Sequence, residues 1–403
     1  MNSLETRGFF SPYLDRTRSP AETVALMRPR FFDFGITRLA RVTGLDCIGI
    51  PVWSAIRPNS RTLSVSQGKG ISDDAAAASA VMEAIEVATA ERLDLPHRAC
   101  STDALAAEGR SVALFDGLLR AGAAPPDGAE VIDWIEGYDL LRGTAVWVPL
   151  EVVALSDGGA PSRYWQSTDG LASGNILWEA VFHGLCERIE RDALALWALR
   201  EDAWIAAHCL DPCTLDDSEL GKLVAKIEGA GLQTRLFDIA SDVGVPVYFA
   251  TISPVPSGQE SNWTYFDLSS GSGCHPDRAR AAIRAVTEAA QTRLTTISAV
   301  RDDFDPSKYR AALNADLLPY IRVSPKRDAM NDAPARLDPT AYIDFMVERL
   351  RAVGVRSAVV VPLEAGEAGY AVAKALVPDL ETLAGDRRFA RGKRALRAML
   401  ARA

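Results

Sequence analysis

Two glutamates in an apolar segment are the clearest sign of chemistry in this chain. Residues 75–90 consist of Ala, Ser, Val, Met, Ile and Thr, apart from Glu83 and Glu86. These two lie three positions apart, so a helix places them on one face. A helix that is apolar on every side is buried, and carboxylates buried together cost several kcal/mol per ion unless a cation neutralises them. The pattern therefore predicts a positively charged partner for Glu83 and Glu86.

Two later segments repeat this pattern at helical spacing. In each of them, polar or charged side chains gather along one face of a helix with an apolar background. They are Glu179, His183, Glu190, the adjacent Glu187 and the following Arg191 in the second segment, and Arg284, Glu288 and Gln291 in the third. We predict that the three helices converge on one centre.

Carboxylates from several helices, without matching Cys or His clusters, favour a hard cation, with magnesium as the first candidate. Magnesium held by glutamates usually brings phosphates with it, so the pattern indicates a nucleotide. Glycine-rich loops precede the helices and would place backbone N–H groups where phosphate oxygens lie. Lys69, Arg191 and Arg284 would supply neutralising positive charge.

Structural explanations stay open for several of these residues. Paired glutamates on a helix are usually exposed and bridged to Lys or Arg, although the apolar surroundings of Glu83 and Glu86 argue against this. The mixed charges of residues 187–192 fit a solvated surface equally well. A single histidine such as His183 is more often a core residue than a ligand. Residues 208–213 contain one histidine and two cysteines but lack the rest of a zinc site.

Two common nucleotide-binding motifs are absent from the sequence. In a P-loop, a glycine and a Ser or Thr would stand at the positions of Leu63 and Gly70. Gly271 and Gly273 are not followed by the third glycine of a Rossmann fingerprint. A nucleotide site would therefore be of another kind.

The elements that must position these residues recur as strand, glycine loop and helix. Helices are predicted at residues 20–28, 73–92, about 176–200, 276–300 and 341–353, with Ser19 capping the first and Ser72 or Asp73 the second. Strands are predicted at residues 36–42, 48–53, 62–66, 131–139, 145–153, 234–239, 245–252 and 358–361. Glycine loops are predicted at residues 68–70, 157–175 and 269–274, and an irregular connector at 302–339.

Composition limits the class of protein. The 403 residues carry 44 Lys and Arg against 53 Asp and Glu, a net charge of −9, which argues against a protein that mainly binds nucleic acid. No stretch approaches the roughly 20 apolar residues of a membrane span, and the first ten residues do not resemble a signal peptide. Six scattered cysteines fit reduced, buried thiols. We expect a cytoplasmic α/β protein.

At three blocks the chain resembles the YcaO proteins, which use ATP to activate backbone amides of peptides. The blocks are residues 66–70 with 79–86, residues 169–175 with 179–193, and residues 273–275 with 284–293. The resemblance implies an α/β (α+β) fold of YcaO type, with mixed sheets packed against long helices that converge on an ATP and Mg²⁺ site without a P-loop. It also implies an N-terminal part at residues 1–60, a core at 61–300 and a C-terminal α/β segment at 301–403.

The resemblance further implies which side chains bind the two cofactors. Magnesium ligands would be Glu83, Glu86, Glu187, Glu190 and Glu288. Contacts to ATP would be Arg18, Thr23, Lys69, Ser79, Glu179, Arg191, Arg284 and Gln291, with Arg16 as an alternative to Arg18. It assigns no catalytic nucleophile, and none of the six cysteines is needed as one.

Within that family, residues 18–23, 35–38 and 44–51 resemble the branch found beside TfuA proteins, which is associated with thioamide formation. Azoline-forming members typically end in a proline-rich tail, whereas residues 393–403 contain no proline. This branch implies a precursor peptide as substrate, a TfuA-like partner, a sulfur donor and a homodimer. We expect a separate partner to deliver the substrate, since no segment resembles a domain that recognises leader peptides.

The expected reaction converts an amide oxygen into a better leaving group. Sulfide adds to the amide carbon, the oxygen receives the γ-phosphoryl group of ATP, and departure of phosphate leaves a thioamide. An azoline-forming cyclodehydratase, in which a Cys, Ser or Thr of the peptide replaces sulfide, is the alternative within this chemistry. A catalytically silent ATP-binding scaffold and a carboxylate–amine ligase are alternatives of other classes.

Overall fold

The computed structural model describes residues 10–11, 14–92, 95–155, 162–258, 263–299, 307, 311–326, 339–382 and 392–400. Its α-helices are α1 Pro20–Met27, α2 Asp73–Ala90, α3 Thr102–Ala107, α4 Leu177–Trp197, α5 Asp202–Ala207, α6 Ser218–Gly229, α7 Arg278–Ser298, α8 Pro319–Arg322, α9 Pro339–Ala352 and α10 Lys393–Leu400. Its strands are β1 Phe10–Ser11, β2 Leu14–Asp15, β3 Arg38–Arg41, β4 Val52–Ile56, β5 Val65–Lys69, β6 Arg98–Ser101, β7 Val131–Asp139, β8 Thr144–Pro149, β9 Leu171–Gly174, β10 Cys209–Leu210, β11 Leu232–Asp238, β12 Val247–Pro254, β13 Ser269–Cys274, β14 Val359–Ala365 and β15 Ala371–Leu376.

The strands form three main sheets and a small β1–β2 hairpin. Their orders are β3-β4-β5, β10-β11-β12-β13 and β6-β7-β14-β15-β9, with β8 also paired to β7 in the last. Neighbouring strands pair in antiparallel fashion, for example with Ala250 of β12 opposite Gly271 of β13. In the third sheet, β14 and β15 from late in the chain lie between β7 and β9.

Three strand–helix units carry the predicted site residues other than Arg18 and Thr23: β5 with α2, β9 with α4, and β13 with α7. Glycines in these strands touch the helix backbone directly. A Cβ atom built at Gly68 would lie 2.0 Å from the backbone N of Ala80, and one built at Gly271 would lie 2.3 Å from the backbone N of Ala289. A Cβ atom at Gly174 would lie 2.4 Å from the Cβ of Glu179. Only glycine permits such close packing of strand on helix.

Helix α2 is buried, as its apolar sequence predicted. Ala76, Ala80, Ala84 and Ile85 are fully buried, and α2 packs in the same core as the β7–β14 part of the third sheet. Ser72 caps the helix by accepting a hydrogen bond from the N–H of Ala75. The helix thus sits between two sheets, with its two glutamates on the side that the core does not occupy.

Most of the predicted elements are confirmed, with shifted ends. The first, second and third predicted strands begin two, four and three residues later than expected, at Arg38, Val52 and Val65. The Ser19 cap is present as a capping box with Glu22, and the strand at Val131–Asp139 matches its prediction. The six cysteines are free thiols, but Cys47 and Cys213 are exposed rather than buried.

The glycine loops were predicted wrongly. Residues 269–274 form strand β13, residues 68–69 end strand β5, and residues 171–174 form β9. The glycines were read as phosphate-binding turns, but they serve close approach of strand and helix. Helix α6, helix α10 and strand β15 were not anticipated. The described part of the connector predicted at 302–339 is not wholly irregular, because it contains helix α8. Residues 302–306, 308–310 and 327–338 of that connector lie outside the described residues, and so do residues 157–161 of the second predicted loop.

Among the described helices, none is both long enough and apolar enough to cross a membrane.

We predict that Gly271→Ala destabilises the protein strongly. The added methyl group would meet the backbone of α7 at Ala289 N and Ala285 O, which cannot move away as a flexible side chain can. Overpacking of this kind should lower the free energy of unfolding by about 3 kcal/mol, measured by urea denaturation. The matched control is Gly221→Ala on the exposed face of α6, where a Cβ atom meets nothing within 4 Å and should stabilise by about 0.5–1 kcal/mol. Equal stability of the two variants would refute the packing argument.

Candidate functional site

A cavity of about 360 Å³ opens where α2, α4 and α7 face the segment at residues 15–23. Four glutamates line it, which we call the carboxylate cluster: Glu83, Glu86, Glu190 and Glu288. The basic side chains on its wall are Arg16, Arg18, Lys69, Arg280 and Arg284. The three helices thus converge on one centre, as the sequence predicted.

Glu86 is held among groups of like charge. The hydroxyl of Ser173, on β9, donates a hydrogen bond of 2.6 Å to its carboxylate. Burial raises the pKa of Glu86 to about 8, and the neighbouring Glu83 and Glu187 carboxylates add to the rise against the effect of Ser173. The nearby guanidinium of Arg16 only partly offsets these effects.

Glu190 and Glu288 meet across Ser272 of β13. The Ser272 hydroxyl donates to Glu190 at 2.6 Å, and its backbone N–H donates to Glu288 at 3.3 Å. Burial and the nearby Glu288 raise the pKa of Glu190 to about 7. Burial alone would also raise the pKa of Glu288, but its ion pair with Lys69 lowers it below the usual range. Lys69 therefore neutralises one member of the cluster.

The arginines are fixed by the elements around the cavity. Arg284 of α7 donates through Nη2 to Nδ1 of His183 at 2.7 Å, and Arg18 donates to the carbonyl of Gly369 at 2.9 Å. Arg280 pairs with Asp15, which also accepts a 2.7 Å hydrogen bond from Nε2 of His275. Although burial would raise it, the pKa of Asp15 is held well below its usual range by His275 and Arg280.

Nine of the residues predicted for the site lie on the cavity wall. They are Arg18, Thr23, Lys69, Ser79, Glu83, Glu86, Glu190, Arg284 and Glu288. Thr23 donates through Oγ1 to Oδ1 of Asn175 at 2.9 Å, which links α1 to the connection between β9 and α4.

Four predicted residues lie behind the wall instead. Glu179 is fully buried and accepts hydrogen bonds from the N–H groups of Thr17, at 2.6 Å, and Asn175, at 2.8 Å. It thereby anchors the segment that carries Arg16 and Arg18.

Glu187, Arg191 and Gln291 also hold neighbouring parts of the structure. Glu187 accepts from the N–H of Gly170 at 3.1 Å and pairs with Arg191 at 3.3 Å. Gln291 donates to the carbonyl of Gln67 at 2.7 Å, which ties α7 to the strand that carries Lys69.

Sequence reasoning missed the serines that orient the cluster. Ser173 and Ser272 occupy corresponding places, each just before a glycine in the strand that precedes a helix with a glutamate of the cluster. The repeated Ser-Gly at residues 173–174 and 272–273 was a usable signal, but assignment of these residues to loops concealed it. The Asp15–His275–Arg280 group was missed as well, because its members are far apart in the sequence.

The donor set fits a divalent cation with a polyanion. Glutamate oxygens are hard ligands of the type that Mg²⁺ prefers, and the raised pKa values of Glu86 and Glu190 show carboxylates that a cation would stabilise. Within the described residues, no three His, Cys, Asp or Glu side chains form a finished metal centre as they stand. When a metal ion binds, the glutamates would contact it in place of their present partners. Those partners are the hydroxyls of Ser173 and Ser272 and the ammonium group of Lys69.

The comparisons with known proteins agree with this geometry. Residues 67–381 match the family model described as "YcaO cyclodehydratase, ATP-ad Mg2+-binding". The chain is 40% identical over 380 residues, 92% of this chain and 90% of the relative, to an "Uncharacterized protein in tfuA 3'region" of Rhizobium leguminosarum bv. trifolii. It is 31% identical over 384 residues to an uncharacterized protein of Methanothermobacter thermautotrophicus, covering 91% and 95% of the two chains.

Two solved structures share the fold. YcaO from Methanopyrus kandleri bound with AMPPCP and Mg²⁺ has a TM-score of 0.71 at 21% identity, covering 96% of this chain and 97% of that one. A "Heterocyclase in complex with substrate and Cofactor" has a TM-score of 0.72 at 20% identity and covers 94% of this chain. This chain spans only 54% of that heterocyclase. The predicted fold type is confirmed.

We predict that stability without metal falls as pH rises through neutrality, and that Glu86→Gln weakens this fall. Glu86 has a pKa near 8 in the folded protein against 4.5 as its ordinary value, so the folded state binds the extra proton between these limits. Raising the pH from about 5 to about 8 therefore removes stability, on the order of 2–4 kcal/mol from this group. Glu190 contributes in the same direction up to about pH 7.

The measurement is urea unfolding at several pH values in buffer free of Mg²⁺ and nucleotide. Exposed Glu228 of α6 provides the control, since Glu228→Gln should keep the pH dependence of the wild type. A Glu86→Gln protein that loses stability with pH as steeply as the wild type would contradict the argument.

Proposed function

This chain belongs to the YcaO family of ATP- and Mg²⁺-binding cyclodehydratases, and we propose that it phosphorylates a peptide backbone amide to form a thioamide. The observation that carries the proposal is the carboxylate cluster, buried beside five basic side chains in one cavity. A site with that charge pattern suits a metal-bound triphosphate better than a neutral ligand. The peptide would be ribosomally made and modified in the cytoplasm, where ATP is available.

Each group on the cavity wall has a role in this proposal. Glu83, Glu86, Glu190 and Glu288 would hold Mg²⁺, and Lys69, released from Glu288, would turn to the phosphates together with Arg284 and Arg18. Bound ATP supplies the phosphoryl group, and Mg²⁺ neutralises the charge on its oxygens.

The residues behind the wall would keep these groups in place. We propose that Glu187 fixes the start of β9 through its hydrogen bond from the N–H of Gly170, and that Arg191 holds Glu187 through their ion pair. Glu179 fixes the segment that carries Arg18, and Gln291 the strand that carries Lys69. Thr23 and Ser79 would contact the nucleotide from α1 and α2.

The balanced reaction consumes one ATP for each amide. Sulfide forms a bond to the amide carbon, and the electron pair of the carbonyl π bond passes to oxygen. That oxygen takes the γ-phosphoryl group, and the C–O bond then breaks with release of phosphate. The net change is amide, hydrogen sulfide and ATP to thioamide, ADP and phosphate, so no oxidant or reductant is required.

The thioamide product is favoured over an azoline by the relative named for its place beside tfuA. We therefore propose a TfuA-like partner and a sulfur donor that acts with it, and a homodimer as the assembled enzyme. The alternative within this chemistry is an azoline-forming cyclodehydratase, which the family description itself favours. A silent ATP-binding scaffold is the alternative of another class.

The test incubates the purified protein and its TfuA-like partner with a precursor peptide, ATP, Mg²⁺ and sulfide, followed by mass spectrometry. We expect the peptide to gain the mass difference between sulfur and oxygen, with release of one phosphate per modified amide. Loss of one water would instead identify the azoline reaction.

The matched variants separate catalysis from scaffolding. Glu83→Gln should abolish ATP turnover and peptide modification, because it removes one carboxylate from the cluster while the fold is retained. Glu228→Gln, on exposed α6 away from the cavity, should retain both. If the wild type and both variants leave the peptide mass unchanged and hydrolyse ATP only at the background rate, the scaffold alternative remains.

A further inference from the structure

Among the described residues, one ring nitrogen of His183 has a hydrogen-bond partner and the other has none. Its Nδ1 is engaged by Arg284 at 2.7 Å, while Nε2 is buried and has no hydrogen-bond partner in the part of the chain that the structure describes. The side chain lines the cavity of the carboxylate cluster. By contrast, His275 on the same wall uses both ring nitrogens, bonding Asp15 through Nε2 and the N–H of Asp277 through Nδ1.

The contact with Arg284 determines where the His183 proton lies. A guanidinium group can only donate, so Nδ1 of His183 must accept and carries no hydrogen. In the neutral ring the proton is then on Nε2, a buried nitrogen of a side chain that lines the cavity. Burial and the positive charges of Arg16 and Arg284 hold the pKa of His183 well below its usual range, which agrees with a neutral ring.

Three other roles for His183 fail on this geometry. A protonated Nε2 cannot act as a general base, and it cannot bind a metal, which requires the lone pair. A histidine that served packing alone would leave a buried N–H without a partner, at a cost of about 1–3 kcal/mol. An unpartnered donor on a residue that lines a cavity calls for a ligand that accepts a hydrogen bond.

The position of His183 identifies that ligand. Helices α4 and α7 meet at two successive levels: His183 with Arg284, and Glu190 with Glu288 through Ser272. The levels are four residues apart on α7 and seven apart on α4, which corresponds to about 6–10 Å along the helices. One level presents two N–H donors and the other presents carboxylates, so a phosphate chain with its metal would have its oxygens facing both.

We propose that His183 is a nucleotide-binding residue, whose neutral Nε2–H donates to an oxygen of the phosphate chain beside the guanidinium of Arg284. This inference rests on the proposed function, because it needs Mg²⁺ and ATP in the cavity. It gives a ligand role to a residue that sequence analysis regarded as more typical of the core.

Two substitutions separate the two ring nitrogens. His183→Asn keeps an oxygen near the position of Nδ1, which can accept from Arg284, but places no donor at Nε2. His183→Gln places an amide N–H near the position of Nε2. Calorimetry measures the Kd of each protein for a non-hydrolysable ATP analogue with Mg²⁺, so that the result does not depend on turnover.

We expect the Asn variant to bind the analogue roughly tenfold more weakly, as for loss of a hydrogen bond to a charged oxygen, and the Gln variant to stay within about threefold of the wild type. His97 provides the control: its Nδ1 is also engaged, by the carbonyl of Leu95 at 2.7 Å, but it lies outside the cavity. His97→Asn and His97→Gln should bind like the wild type. Thermal melting of each variant checks folding.

The outcomes distinguish the inference from the function beneath it. If the wild type binds the analogue and His183→Asn binds equally well, the inference is wrong and the proposed function stands. If His183→Asn binds the analogue like the wild type and His183→Gln binds it more weakly, then His183 serves only to orient Arg284. That result also overturns the inference. If the wild type does not bind Mg²⁺ and the analogue at all, both fail together.

Discussion

Carboxylates buried beside one another set the main constraint on this molecule. In the carboxylate cluster, Lys69 neutralises Glu288, while burial and like charge raise the pKa values of Glu86 and Glu190. A protein on its own would gain stability if such groups were apolar. The presence of these glutamates is explained by a ligand that supplies positive charge, because a ligand that binds the folded state stabilises that state. The same deficit that weakens the free protein therefore becomes affinity for metal and nucleotide.

The fold holds these charges on rigid elements. The glycines of β5, β9 and β13 let α2, α4 and α7 lie against the strands with almost no space between the backbones. The serines at the ends of β9 and β13 then reach the glutamates of the adjacent or neighbouring helix. A site that must position several ions benefits from such supports, since small shifts of a ligand cost much of its effect. In these strands the glycines permit contact with the helix backbone, and the serines orient the glutamate carboxylates.

The sequence predicted the acidic helices well and their surroundings less well. Helix α2 was predictable because its apolar residues surround two glutamates without interruption, and α7 because its alanines frame Arg284 and Glu288. Strand β13 was mistaken for a loop, since its two glycines and three serines give no β propensity, and only contact with α7 explains them. Glu187 and Arg191 share the periodicity of Glu190, yet they face Asp169 and Gly170; an offset of about 60° around the helix axis, which separates positions three apart, decides which carboxylate meets the cavity. Helical spacing alone cannot resolve that difference.

The order of the strands has a consequence for how the molecule is made. Strand β9, which carries Ser173, pairs with β15 at residues 371–374, and β15 is held in turn by β14. Residues 171–174 therefore leave the ribosome long before their sheet partner has been synthesised. During that interval α4 lacks β15, against which it packs in the finished protein. The sheet under α4 is therefore completed only when the last strands have been translated.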